Sequence, residues 1–282
     1  SLFRMRNVST KRRERINCDE EERLRLGYDL ITGVRFNEHG GEAACRAASV
    51  QADSEELFSM EYAPAATLWR INLGWTRRKN KDQLGFVLDV ERGYWGASKD
   101  LDEKDEDDPM SPRVMRVIPY VEDTRNALMF TPQIDLSATQ MASLQQALKC
   151  AIEVHFQLED NELAAEPLPS TDERNRILFY ESAEGGAGAL KRLLDDARAL
   201  PRVAAEALRI CHFDPETGDD LLRGPHATED CEAACYDCLL SYQNQREQDL
   251  IDRQSIKDCL LQLARCTVEA SPVSLPRAEH MQ

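Results

Sequence analysis

From Met141 onward apolar residues recur three or four places apart, at Leu144, Leu148, Ile152 and His155, a spacing that predicts a helix with one buried face. Ser137 and Gln140 precede it as S-x-x-Q, a capping box that sets where the helix begins. His155 lies on the apolar face and is read as a core histidine. A different period governs residues 69–75, where Trp69, Ile71, Leu73 and Trp75 alternate with Arg70, Asn72 and Gly74. That alternation predicts a strand with one face buried. Leu84, Phe86, Leu88 and Val90 repeat it, and are the expected hairpin partner across the polar connection 76–82. Further strands are expected at 28–36, ended by Gly40-Gly41, and around 114–121. The apolar run Ile177-Leu178-Phe179-Tyr180, the turn Glu184-Gly185-Gly186-Ala187-Gly188 and the spacing of Leu190, Leu193, Leu194 and Ala197 predict a strand–turn–helix unit. Helices are also expected at 202–210 and 255–266. The fold class is therefore mixed α+β: a β-rich region over 1–130 and an α/β region over 131–282.

Composition narrows this. The 282 residues are 42% hydrophobic, enough for one large domain or two small ones. No run approaches the roughly 18 apolar residues of a membrane helix, and no charged-then-apolar leader opens the chain. The expectation is a protein of the bacterial cytoplasm without a membrane partner, and the opening Ser1-Leu2-Phe3 suggests a piece of a longer polypeptide. Acidic residues outnumber basic ones 51 to 35, for a net charge of −16, which excludes a simple nucleic-acid coat. The charge is uneven, however. Residues 99–108 (KDLDEKDEDD) hold seven carboxylates and are expected to form a mobile acidic loop. Two short runs are basic: Lys11-Arg12-Arg13-Glu14-Arg15, and Arg77-Arg78-Lys79-Asn80-Lys81. Arg12, Arg13, Arg77, Arg78, Lys79 and Lys81 are the candidate phosphate contacts, with Trp69 and Trp75 nearby. The alternative for each run is a solvated face.

The nine cysteines are odd in number and their distribution argues against a disulfide scaffold, since a chain with this much core needs no staples. Cys211, Cys231, Cys235 and Cys238 give C-x19-C-x3-C-x2-C, in which one short turn presents three sulfurs to one ion and Cys211, at a helix end, closes the tetrahedron. Four thiolates with no open position make a structural Zn2+ site. His212 or His226 can replace one thiol. Cys18, Cys45, Cys150, Cys259 and Cys266 are read as free thiols. The glycine turn after Glu184 offers N–H groups to a phosphate, but without a following Lys-Ser/Thr it reads as a sharp strand-to-helix turn. No H-E-x-x-H, G-x-S-x-G or P-loop motif occurs, so the chain shows no complete catalytic constellation.

The segment running from Ile177-Leu178-Phe179-Tyr180-Glu181 through Gly185-Gly186-Ala187-Gly188, the cysteine cluster and Leu239-Leu240-Ser241-Tyr242-Gln243-Asn244-Gln245 resembles the C-terminal zinc-binding domain of MrfA-type superfamily 2 DNA helicases. That domain also occurs in the DrmA and DrmB proteins of the DISARM anti-phage system. The resemblance covers about the last 150 residues. It implies a module attached to, or working beside, an ATP-driven DNA translocase, with DNA and helicase motor domains in cis or in a partner subunit as its partners. ATP would enter only through that motor. On the matched motif Cys211, Cys231, Cys235 and Cys238 become the zinc ligands, and no catalytic residue is carried over. Gln248 departs from the histidine of related sequences. The competing expectation is a zinc-stabilised protein-docking platform that never touches nucleic acid.

Overall fold

The computed structural model describes residues 2–4, 27–39, 42–43, 45–102, 113–159, 162–182, 185–225 and 227–271. Its strands, in chain order, are β1 (Leu2–Arg4), β2 (Tyr28–Arg35), β3 (Glu38–His39), β4 (Glu42–Ala43), β5 (Arg46–Ala52), β6 (Glu55–Trp75), β7 (Phe86–Asp89), β8 (Trp95–Gly96), β9 (Val114–Pro132), β10 (Leu163–Pro169), β11 (Arg174–Glu181) and β12 (Thr267–Ala270). The helices are α1 (Ala138–Phe156), α2 (Ala189–Asp195), α3 (Ala199–Ile210) and α4 (Lys257–Leu263), with 3-10 turns at Tyr242–Leu250 and Gln254–Ile256. The architecture is mixed α+β, as the two hydrophobic periods imply. A helical turn at Lys99–Asp102 opens the acidic run, whose remainder, 103–108, lies outside the described residues. None of the described helices is long and apolar enough to cross a membrane.

Two compact units form, each from two stretches of chain. The first comprises Ser1–Val34 and Leu68–Asp123, and the second Arg35–Thr67 and Thr124–Gln282. In the first unit β2 pairs with β6, and β1 runs parallel to β9 with Leu2 opposite Ile118. Strand β7 is not the hairpin partner of β6: it pairs antiparallel with β9, Phe86 opposite Val117, and with β8, Leu88 opposite Trp95. Glycine geometry explains the departure. Gly74 (φ +122°) and Gly85 (φ +80°) turn the chain out of the ladder after a backbone bond from Gly85 N–H to Leu73 O at 2.7 Å. Gly85 then passes so close to β9 that a Cβ would stand 2.1 Å from the Val117 carbonyl oxygen, an approach open only to glycine.

The second unit is built on a sheet ordered β10-β11-β9-β6-β5-β12. Phe58 stacks on Phe130 with ring centroids 4.4 Å apart, and Met60, Leu128 and Phe179 share a core with Leu144, Leu148 and Ile152 of α1 and Val203, Ala207 and Leu208 of α3. Each of the larger of these side chains, Ala207 apart, contributes about 1.5–3 kcal/mol by its burial. The capping box is made: Ser137 Oγ accepts from Gln140 N–H at 3.2 Å, and Gln140 Oε1 accepts from Ser137 N–H at 2.9 Å. His155 is half-buried and edge-on to Phe156 rather than in the core, since it belongs to the last turn of α1. The first turns of α1 also fix a distant loop. Buried Ser143 donates to Thr139 O at 2.7 Å and accepts from Asp252 N–H at 2.8 Å, while Gln140 Nε2 donates to Ser255 O at 3.2 Å. Arg253 is thereby set in place.

Candidate metal centre

Helix α3 presents an apolar face of Leu200, Val203, Ala204, Ala207 and Leu208 to the core, and the way it ends decides the site. Phe213 N–H donates to Leu208 O at 2.8 Å and His212 N–H to Arg209 O at 3.0 Å, the paired bonds of a Schellman motif. Phe213 is fully buried, supplying the hydrophobic contact that accompanies this cap. The residue after the cap must adopt a left-handed conformation, ordinarily glycine's place, yet here it is His212 with φ +62°. For a residue with a side chain that costs roughly 1 kcal/mol. The strain turns the imidazole out of the helix and toward the loop that carries the three later cysteines.

His212, Cys231, Cys235 and Cys238 bring their ligand atoms within 4.8 Å of one another. Cys231 Sγ and Cys238 Sγ are 3.8 Å apart, Cys235 Sγ and Cys238 Sγ 3.5 Å, and His212 Nε2 and Cys235 Sγ 3.3 Å. A tetrahedral zinc with Zn–S near 2.3 Å requires sulfur–sulfur edges of about 3.8 Å and a slightly shorter sulfur–nitrogen edge. Donor chemistry and spacing both fit. The fourth member is thus His212 and not Cys211. Cys211, the C-cap of α3 (φ −76°), is fully buried and does not join the group whose ligand atoms lie within 4.8 Å; burial, with Cys150 adding, pushes its thiol up to about 12. His226 lies outside the described residues.

Electrostatics around the cluster agree with a metal role. Burial raises the thiols of Cys231 and Cys238 above the ordinary range, and at Cys238 the Cys235 N–H, donating to its Sγ at 3.0 Å, partly offsets the rise. Such buried thiols ionise when a dication lies among them. Burial and the Arg253 charge lower the pKa of His212, against Asp237 and Asp220, which favours the neutral imidazole that a metal needs. Gly224 packs on this ring: a Cβ there would meet His212 Cε1 at 3.3 Å.

Arg253, fully buried, ties the ligand-bearing segments together. Its Nη1 donates to Cys211 O at 3.0 Å, its Nε and Nη2 to Cys231 O at 3.0 and 2.6 Å, and the guanidinium forms a bidentate pair with Asp220 at 2.8 and 3.0 Å. It also lies over the Phe213 ring, 4.9 Å from the centroid. Asp220 returns opposite Phe213 in a bridge closed by the turn through Gly218. Sequence reasoning missed Arg253 and Asp220. Arg253 sits in Leu250-Ile251-Asp252-Arg253-Gln254, a context whose pattern gave no signal of burial.

The other sequence candidates separate. Arg78 is tied to Asp29 at 2.7 Å and to the carbonyls of Trp75 and Lys81, and Lys81 Nζ donates to Thr76 O. Both hold the 76–82 turn in shape. Arg77 and Lys79 are exposed and, among the described residues, have no ion-pair partner. Arg12, Arg13 and Cys18 lie outside the described residues. The glycine turn is a close approach, not a cradle: a Cβ on Gly186 (φ +69°) would fall 1.9 Å from Glu181 Oε2. Glu181, itself fully buried, accepts from Leu190 N–H at 3.1 Å and from Asn126 Nδ2 at 3.0 Å, so a carboxylate already stands at the start of α2, where a phosphate would have to bind.

Residues 144–239, which include all four clustered side chains, match the family model of the MrfA Zn-binding domain. No curated protein matches the chain. Among solved structures, one described as the crystal structure of DUF1998 helicase MrfA bound to DNA aligns at 13% identity with a TM-score of 0.43, over 84% of this chain and 25% of that one. The chain thus spans about a quarter of the length of that helicase.

Proposed function

We propose that this chain, which carries an MrfA-type zinc-binding domain at residues 144–239, is the zinc-stabilised module of an ATP-driven, helicase-type DNA enzyme whose motor lies elsewhere in the polypeptide or in a partner subunit. The observation that carries this reading is the coincidence of the His212, Cys231, Cys235 and Cys238 cluster with the matched stretch. Bound zinc supplies folding free energy at such a site, because four protein ligands leave no position for a water to be activated. Thiolate ligands also need a reducing compartment, in keeping with a bacterial cytoplasm and with a setting in DNA repair or DISARM-type defence.

The module's grip on DNA belongs on the first unit. Among the described residues, the cleft beside the metal cluster is lined by Glu229, Asp230, Glu232 and Asp237 against the cation Arg223, the wrong sign for a phosphate. Arg77 and Lys79 are free to pair with phosphates, Arg78 and Lys81 keep their turn in shape, and Arg12 and Arg13 add contacts from the N-terminal run. A salt titration of DNA affinity tests this. Each phosphate contact contributes about 0.7–0.9 to the log–log slope, so the double variant Arg77→Glu with Lys79→Glu should bind more weakly and lower the slope by roughly 1.5. Equal affinity and slope would remove DNA contact from this turn.

A second reading, a protein-docking platform, is favoured by one feature: Tyr236 is 67% exposed between Cys235 and the acidic Asp237. Passage through a heparin column at low salt would support docking, and retention would support DNA contact.

A further inference from the structure

We propose that the exposed aromatic face of the first unit is a stacking platform for the bases of single-stranded DNA. The proposal rests on the DNA reading above and narrows it to one strand structure and one surface. Tyr28 and Trp75 are stacked, with ring centroids 4.5 Å apart and planes 27° from parallel. Phe86 meets both edge-on, at 6.0 and 6.2 Å, and Trp95 lies 5.6 Å beyond it. The four rings form a continuous strip, yet Tyr28, Trp75 and Trp95 are 48%, 44% and 56% exposed. Strand register accounts for the β8-β7-β9 part of it: Leu88 lies opposite both Trp95 and Met115, and Phe86 opposite Val117, so Trp95, Met115 and Phe86 stand on one face, with Leu88 and Val117 buried among them, and the ring contacts join Tyr28 and Trp75 to it. Met115 extends the exposed part.

Charge selects the occupant. Asp29, next to Tyr28 in β2, is paired with Arg78 at 2.7 Å. Trp75 runs directly into the turn that holds out Arg77 and Lys79. Flat apolar faces at one end of which cations stand free are what an unpaired strand requires: bases stack on aromatic rings, and phosphates meet the lysine and arginine. A duplex keeps its base faces covered and gains nothing from the rings.

The test uses a short labelled oligothymidylate and a duplex of equal length, with binding followed by anisotropy at fixed salt on the whole, zinc-loaded chain. Loss of one stacked base costs about fivefold to a hundredfold in affinity. Trp75→Leu should lower single-strand affinity by about tenfold, Trp75→Phe should restore most of it, and duplex affinity should stay unchanged. Trp95→Leu, on a two-residue strand, is the second variant should Trp75→Leu melt early. In the unaltered protein, single strands should quench tryptophan emission and duplex should not. Wild-type single-strand affinity in folded Trp75→Leu and Trp95→Leu, or binding without quenching, overturns the platform. If Arg77→Glu with Lys79→Glu still weakens binding in that case, the DNA reading stands alone and the strip is left to a protein partner. No DNA binding by the zinc-loaded protein overturns both.

Discussion

At the scale of the residue, the site turns on which of two neighbours reaches the metal. His212 occupies a left-handed position (φ +62°) that glycine would fill at less cost, and strain at such a position persists when function needs the side chain. His212→Gly is therefore expected to abolish zinc binding while leaving the metal-free protein as stable as before or about 1 kcal/mol more so, and Cys211→Ser is expected to keep the zinc. Metal analysis and melting of the two variants check this; the reverse pattern would return Cys211 to the ligand set. Arg253 acts beside the cluster. Replacing it by alanine leaves the carbonyls of Cys211 and Cys231 without this donor and Asp220 without its charged partner, and should cost about 3–5 kcal/mol in chemical denaturation. Burial opposes ionisation of Asp220, but Arg253, Leu222 N–H and Gln254 outweigh it and hold its pKa at about 2 against an ordinary 3.8. Because the folded value is the lower one, the stabilisation of about 2 kcal/mol is complete above pH 4 and disappears as pH falls toward 2. Asp220→Asn should lack that part of the acid transition. Three of the four clustered residues were legible from C-x3-C-x2-C spacing. The fourth was ambiguous because Cys211 and His212 are adjacent and only the cap geometry tells them apart; the missing glycine after α3 was the one clue.

At the scale of the element, local rules were legible where a single period and a cap coincide. Helix α1 begins at the capping box that Ser137 and Gln140 announce, and Ser137→Ala should cost about 1 kcal/mol in thermal or chemical unfolding. Strand β11 followed by α2 was equally legible, and its glycine turn has a sharper requirement than a turn alone. Gly186→Ala places a methyl carbon on Glu181 Oε2 and forces a left-handed alanine, so destabilisation of about 1–3 kcal/mol is expected, with zinc retained if the metal loop is independent of it. Other elements carried no such signature. Strand β5 (RAASVQA) is rich in small residues, and the first part of β6 is interrupted by Ala63-Pro64-Ala65-Ala66; their pairing is fixed by the core they share with α1 and α3, which a local period does not encode. The placement of β7 beside β9 depended on the contact of Gly85 with the Val117 carbonyl, a long-range fact that alternation could not supply.

At the scale of the whole molecule, charge and chemistry are divided between two surfaces. Part of the acidic surplus of 51 over 35 lines the metal cleft, while the run beginning at Lys99 belongs, with Arg77, Lys79 and the aromatic strip, to the first unit. A net charge of −16 therefore does not preclude DNA contact, because the free cations and stacking rings act locally. Folding of the metal loop is the premise for the second unit, and it predicts that loss of zinc destabilises the protein rather than altering a catalytic step. The most direct measurement is elemental mass spectrometry of the purified, reduced chain, before and after a strong chelator, with a thermal melt of each sample. The account predicts about one zinc per chain and a lower melting temperature after chelation. A reduced, well-folded chain that contains no zinc, or that melts identically after its zinc is removed, would contradict it.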